Sequence, residues 1–456
     1  MSTELISINP ATNTVIHRFS THSDQELDHF AAEASKSQKQ WRKSSLEDRK
    51  KLLLKLAEIL QQHAQEDAVH ITAEMGKPIA ASEGEIRKCA SLCIYYAEHL
   101  EQFLKDELIV DAEKKSAISF QPLGVLLGIM PWNFPFWQVI RFAVPAIAAG
   151  NTILLKHASN VSASALLLEK RFLEAGFPSF IYKALLAKST QMEQLIRNPL
   201  IKGVSLTGSE RAGADVARIA GEEIKPSLLE LGGNDAYLIF EDADLELAVK
   251  EGLQSRMKNA GQSCIGAKRF IVMDGIYDAF RDKLLQEMNK EIMGSPLDEA
   301  TTIGPMVSTK ERDRLHEKVQ ESVQQGARLL LGGQIPEQEG AYYPPTLLDH
   351  VDHKNIAFRE ELFGPVCVLI KAKSEQEAID MANDSDFGLG AALFTSDIEK
   401  GKRIIREELE AGACFLNEFV KSDPRLAFGG IKKSGYGREM GEEGIKAFVN
   451  KKYIRY

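Results

Sequence analysis

From residue 117 onward the chain alternates short apolar runs with helical ones, and this alternation restricts the fold more than any other feature. "AISFQPLGVLLGIM" reads as a strand, a break at Pro122 and a second strand. "GNTILLKHAS" is a strand ending in a polar loop, and "NVSASALLLEKRFLEAG" is a helix closed by Gly176. "SFIYKALLA", "IKGVSLTGS", "PSLLELGG" and "DAYLIF" are further strands, with "ERAGADVARIAGEE" a helix between them. Strands separated by helices of this length form βαβ units, so the expected architecture is α/β, a parallel sheet covered by helices on both faces. After Asp242 the pattern restarts with "DLELAVKEGLQSRMKNAG" and "RFIVMD", and it repeats in "EELFGPVCVLIKAKS", "EQEAIDMANDSD" and "LGAALFTS". A second α/β domain is therefore expected over 233–432. The first hundred residues read as helical. The run 46–75 has a 3.6-residue apolar period, Ser45 as its N-cap and Gly76 at its end, and a second helix runs from about Ser82 to Leu104.

A chain of 456 residues has the length for two or three domains with real cores. Its net charge of −9 argues against nucleic acid or an anionic membrane as the main partner, since both attract basic surfaces. The most apolar region, 124–155, is cut by prolines and carries Arg141, which excludes a membrane span. The start, "MSTELISINPATNTVIHRF", has neither the basic nor the apolar run of a targeting segment. Five sparse cysteines, 89, 93, 264, 367 and 414, do not make a disulfide framework and fit a reducing cytoplasm. Cys89 and Cys93, four apart in a helical pattern, read as a core-facing pair.

Several stretches carry chemistry. "GVSLTGSERAG" leads from a strand through Thr207, Gly208 and Ser209 into a helix. Unpaired N–H groups and the helix dipole make such a joint suited to phosphate. Lys156 ends another strand of the same sheet, where ligands bind in open α/β folds. Glu230, in "LLELGGND", is a carboxylate in an apolar setting and so a candidate base. Asn133 is held between prolines in "PWNFPFW", placed to donate its amide to a developing oxyanion. Cys264, in "MKNAGQSCIGAKRF", is by these residues alone either a buried filler or a nucleophile.

Taken in order, "PWNFP", "LLKHAS", "TGSERAG", "LELGG", "GQSC", "EELFGP" and "FGGIKKSGYGRE" resemble the aldehyde dehydrogenase superfamily over essentially the whole chain. The likeness is closest to the bacterial NAD(P)-dependent succinate-semialdehyde dehydrogenase branch. The resemblance implies a Rossmann-type cofactor domain (1–105 and 123–232), an α/β catalytic domain (233–432) and a β oligomerisation arm (106–122 and 433–456) that builds a homodimer or homotetramer. It implies Cys264 as nucleophile, Asn133 with the Cys264 N–H as oxyanion donors, and Glu230 as the base that activates water. Trp132, Lys156, Ser159, Thr207, Gly208, Ser209, Leu231, Gly232, Glu361 and Phe363 are implied to bind the cofactor. That cofactor is NAD, with NADP possible because Ser159 leaves room beside Lys156 for a 2′-phosphate. No metal is implied, and His350 and His353 read as solvated. Arg141, Lys258, Ser422 and Phe428 are implied to receive the substrate, succinate semialdehyde or its homologue glutarate semialdehyde, with Arg425 a further cation nearby. Two readings from other classes are a cofactor-free Cys–Glu–Lys hydrolase and an inactive binding protein. A cofactor-reduction assay separates them.

Overall fold

The computed structural model describes residues 4–110 and 115–455. Residues 111–114 of the expected arm, and Tyr456 at its end, lie outside the described residues. Five strands of the first large sheet run parallel: Val125–Met130, Thr152–His157, Tyr182–Leu185, Ile201–Thr207 and Ser227–Glu230. In chain order the sheet grows outward from Val125–Met130 in one direction, then returns to the other side of that strand with Ile201–Thr207. Such a reversal opens a crevice at the carboxyl ends of the two diverging strands, where α/β sheets bind ligands. Those ends deliver Pro131–Trp132–Asn133 and Thr207–Gly208–Ser209 to one place. The next strands deliver Lys156 and Glu230 to the same edge.

The second large sheet has seven strands, of which only Arg328–Leu331 is antiparallel. Its core is built by near-continuous apolar strands such as Val366–Ala372, as expected where both faces are covered. A third sheet is antiparallel, in the order Val449–Arg455, Lys115–Pro122, Glu107–Val110, and carries exposed Leu108, Ile109 and Tyr453.

Residues 4–20 depart from the helical expectation. Glu4–Ile8 and Val15–Ser20 pair as a hairpin, because "ELISI" alternates with Leu5 and Ser7 inward, a period of two. The run 46–75 is two helices, Leu46–Gln62 and Ala64–Met75, joined where His63 leaves helical geometry (φ −100°, ψ 11°). Beyond that bend Asp67 reaches Arg171, whose Nε donates to it at 3.0 Å. Ser45 caps the first helix by accepting from the Asp48 N–H, and Gly76 (φ +80°) ends the second in the left-handed region. The following helix begins at Ile79, directly after Pro78. Cys89 and Cys93 are fully buried on it.

Candidate active site

The loop carrying Cys264 is shaped by its backbone. Asn259, Ala260 and Gly261 are consecutively left-handed (φ +56°, +50° and +72°), which turns the chain sharply after the helix Leu245–Met257. At Gly261 a Cβ would lie 2.0 Å from the Gly364 carbonyl oxygen, so no other residue fits. Gln262 locks the loop, donating from Nε2 to the Asn259 carbonyl (3.1 Å) and accepting at Oε1 from the Val307 N–H (2.9 Å). Asn133 joins it from the first sheet. Its Nδ2 donates to the Gln262 carbonyl at 3.1 Å, and its own carbonyl accepts from Asn259 Nδ2 at 2.8 Å. One amide hydrogen of Asn133 is thus used to fix its direction, and the residue lines a cavity together with Cys264.

Cys264 is half-buried and lines two cavities. Burial lifts its thiol to about 11, against the downward pull of Lys268 and Arg141. Lys268 is buried beneath the nucleophile loop. Its Nζ donates to the Ser263 carbonyl at 2.8 Å and to the Cys264 carbonyl, and lies 2.9 Å from Glu361 Oε1. The two glycines of "LELGG" make room for this cluster. A Cβ on Gly233 would lie 2.6 Å from the Cys264 carbonyl oxygen, and one on Gly232 would lie 2.9 Å from both the Glu210 and the Glu361 carboxylates.

The first cavity, about 640 Å³, runs from Cys264 along the carboxyl edge of the first sheet. Trp132, Thr207, Gly208, Ser209, Leu231, Gly232, Glu361 and Phe363, all singled out in the sequence, line it. Ser209 caps the helix Glu210–Glu222, accepting from the Ala212 N–H at 3.4 Å. Thr207 is buried with its hydroxyl unpartnered. The rings of Trp132 and Phe363 meet edge to face at 5.8 Å. A capped helix start, a free hydroxyl and a glycine cradle suit a dinucleotide with its pyrophosphate at the helix N-terminus. Lys156 and Ser159 stand at the end of the neighbouring strand, outside this lining. Lys156 is buried, its Nζ donating to Ser189 Oγ at 3.4 Å, and burial lowers it to about 8.

The second cavity, about 310 Å³, opens on the other side of Cys264. Phe134, Trp137, Phe419 and Phe428 wall it, and its polar lining includes Lys88, Arg141, Lys258 and Ser422 together with Lys421 and the carboxylate of Glu85. The helix Trp137–Ala148 that bears Arg141 starts on a fixed anion. Glu85 Oε1 accepts from the Phe136 and Trp137 N–H groups at 2.8 and 2.9 Å, and Glu85 is ion-paired with Lys77. Arg425 does not reach this cavity; it is exposed and forked onto Asp423 at 2.9 and 2.6 Å.

Arg141 is 2% exposed, stacks 4.7 Å from the Phe428 ring and is ion-paired with Glu439, while its Nη2 has no hydrogen-bond partner. Glu230 lines neither cavity. Its carboxylate is buried without a partner and turned toward Gly429, where a Cβ would lie 2.7 Å from its Oε1. Burial holds it well above the usual carboxylate range, and the charge of Glu439 adds to the rise. Lys88 and Glu439 were not singled out in the sequence, and Lys268 was noted only as a cation flanking Cys264, with no role assigned. Among the described residues no group of His, Cys, Asp and Glu is arranged to hold a metal, and no helix is long and apolar enough to cross a membrane.

The model of the aldehyde dehydrogenase family matches residues 1–454. The succinate semialdehyde dehydrogenase (NAD(P)+) Sad of Escherichia coli K12 is 43% identical, covering 98% of this chain and 97% of that protein. The succinate-semialdehyde dehydrogenase (NADP(+)) of Mycolicibacterium paratuberculosis is 44% identical over 99% of this chain and 96% of its own. The crystal structure of succinic semialdehyde dehydrogenase from Streptococcus pyogenes in complex with NADP+ superposes with a TM-score of 0.96 at 38% identity, covering 99% of each chain. With a family match over nearly every residue and a shared three-dimensional structure, the chain belongs to the aldehyde dehydrogenase family.

Proposed function

We propose that this enzyme oxidises succinate semialdehyde to succinate. The observation that carries the reading is the cavity beyond Cys264, aromatic-walled yet lined by Lys88, Arg141 and Lys258, in a protein of net charge −9. A neutral aldehyde needs no such cations; a carboxylate at the far end of the substrate does. The names of the relatives point the same way. Glutarate semialdehyde, one methylene longer, is the expected second substrate, since a methylene is discriminated only modestly.

In the mechanism we propose, the Cys264 thiolate adds to the aldehyde carbon. The oxygen that gains charge is received by Asn133 Nδ2 and the Cys264 N–H, with Asn133 already aimed by its bond to the Gln262 carbonyl. The nicotinamide cofactor, when bound, supplies a hydride acceptor. Thr207, Gly208 and Ser209 would hold its pyrophosphate, Lys156 and Ser159 its adenosine ribose, Glu361 the other ribose, and Trp132, Leu231, Gly232 and Phe363 would flank it. Lys268, holding the carbonyls of Ser263 and Cys264, one in each peptide flanking the nucleophile, keeps it from drifting. Glu230, swung from Gly429 toward Cys264, takes the proton of the water that hydrolyses the resulting thioester; its raised affinity for a proton suits that task. Arg141, Lys258, Ser422 and Phe428 enclose the remainder of the substrate.

We assign NADP+ as an accepted cofactor beside NAD+, because Lys156 has a serine neighbour and Ser159 presents no carboxylate to repel a 2′-phosphate. The antiparallel sheet with exposed Leu108, Ile109 and Tyr453 is the proposed contact between subunits of a homodimer or homotetramer. Five free thiols fit a reducing cytoplasm. The test follows cofactor reduction with succinate semialdehyde, glutarate semialdehyde and butanal, each with NAD+ and NADP+. The reading expects succinate semialdehyde to have the highest kcat/KM and Cys264→Ala to be inactive. Equal kcat/KM for butanal, or an active Cys264→Ala, overturns it.

A further inference from the structure

The cavity beside Cys264 contains a cation that no sequence motif marks. Lys88, from the helix Ile79–Leu104, lines it together with Trp137, Arg141 and Ser422. Its Nζ donates to Ser422 Oγ at 2.6 Å and lies 4.0 Å from the centroid of the Trp137 ring. An ammonium has three N–H donors, and Ser422 takes one. The anions nearby are committed elsewhere: Glu85 to Lys77, Glu439 to Arg141, and Glu418 to Lys421. Arg141 is therefore neutralised from below, whereas the charge of Lys88 is directed into the cavity and steadied there by an aromatic face. Lys258 is exposed at the mouth, 6.0 Å from the Phe134 centroid.

We propose that Lys88, seated on Trp137 and bonded to Ser422, is the primary anchor for the carboxylate of the aldehyde substrate, with Lys258 as the outer cation. The assignment rests on the reading of the substrate as a carboxylate-bearing aldehyde and names the group that selects it. Ser422, already accepting from Lys88, then donates its own hydrogen to the same carboxylate. The electrostatics agree. Burial, with the charges of Lys258 and Arg141, holds Lys88 at about 7, against the weaker opposite pull of Cys89 and Glu85. An anion in the cavity raises that value, so substrate binding above neutral pH takes up a proton and weakens as pH rises.

The experiment compares kcat/KM for succinate semialdehyde and butanal in the wild type, Lys88→Met, Lys88→Gln and Lys88→Arg, between pH 6 and 9. The expected result is a selectivity ratio lowered roughly 30-fold in the Met and Gln variants, through KM for the semialdehyde, and largely restored in Lys88→Arg. In the wild type KM for the semialdehyde rises above pH 7, and in Lys88→Met that pH dependence disappears. A structural role would lower both substrates together and leave the ratio unchanged, which overturns the assignment. Wild-type selectivity that survives in Lys88→Met overturns it alone. Absence of any wild-type preference for the semialdehyde overturns the substrate reading and the assignment with it.

Discussion

Replacing Glu439 by glutamine tests the buried charges beneath the active site. Glu439 and Arg141 are each 2% exposed and ion-paired, and Glu230, also 2% exposed, adds a second carboxylate to the same pocket of low polarity. Glutamine keeps the shape and removes one negative charge. Arg141 is then buried without its counter-ion, and breaking one side of such a pair costs about 3–5 kcal/mol. Urea denaturation of Glu439→Gln should show a loss of that size. Arg141→Met should lose a similar amount, and the double variant should recover much of it, because removing both charges leaves neither uncompensated. A double variant whose loss equals the sum of the two single losses refutes the pairing argument.

The same substitution acts on Glu230. Its carboxyl is raised first by burial and then by Glu439, while Arg141 pulls it down. Without Glu439 the second upward cause is gone and Arg141 is free to attract Glu230, so both changes lower its affinity for protons. Because the base must be ionised to act, the rate rises with pH through its pKa, and the acidic limb of kcat must move to lower pH. Strongly interacting carboxylates couple by more than about one pH unit, which sets the expected displacement. A limb that stays in place while stability falls would show that Glu230 and Glu439 titrate independently. A limb that moves upward would reverse the sign of the argument.

Two further outcomes follow from the nucleophile loop. With Cys264 held at about 11 chiefly by burial, iodoacetamide labelling of the cofactor-free enzyme should accelerate about tenfold per pH unit from pH 7 to 10, since only the thiolate reacts; a plateau by pH 9 refutes the burial argument. Gly261→Ala places a Cβ 2.0 Å from the Gly364 carbonyl oxygen at a φ of +72°, so the loop must shift and kcat should fall roughly a hundredfold or more, with the far-ultraviolet dichroism retained; wild-type kcat in that variant would show the loop has slack.

What the sequence revealed and what it hid divide along a physical line. The positions of Thr207, Ser209 and Glu230 at strand ends were legible because strand ends and helix caps are local and a parallel sheet sends its carboxyl ends to one edge; the orientation of Glu230, which lines neither cavity, was not. The N-terminal hairpin was also local, but its period of two is only five residues long in "ELISI" and was outweighed by the helices that follow. Lys88 was hidden because "IRKCASLC" reads as a helix marked only by its core-facing Cys89 and Cys93, and only the packing of Ile79–Leu104 on Trp137–Ala148 brings Lys88 over Trp137 and to a serine 334 positions away. Lys268 is four residues from Cys264, yet outside a helix that spacing carries no meaning; its bonds to the carbonyls of Ser263 and Cys264 arise from the left-handed turn before them. Arg141 shows the limit most clearly. It was read as a substrate residue and it lines the cavity, but what a buried guanidinium offers a ligand depends on the anion beneath it. Glu439, contributed by the far end of the chain, takes most of that charge and leaves Nη2 buried without a hydrogen-bond partner. The selection of an anionic substrate then falls to the cation whose acidic neighbours are already paired.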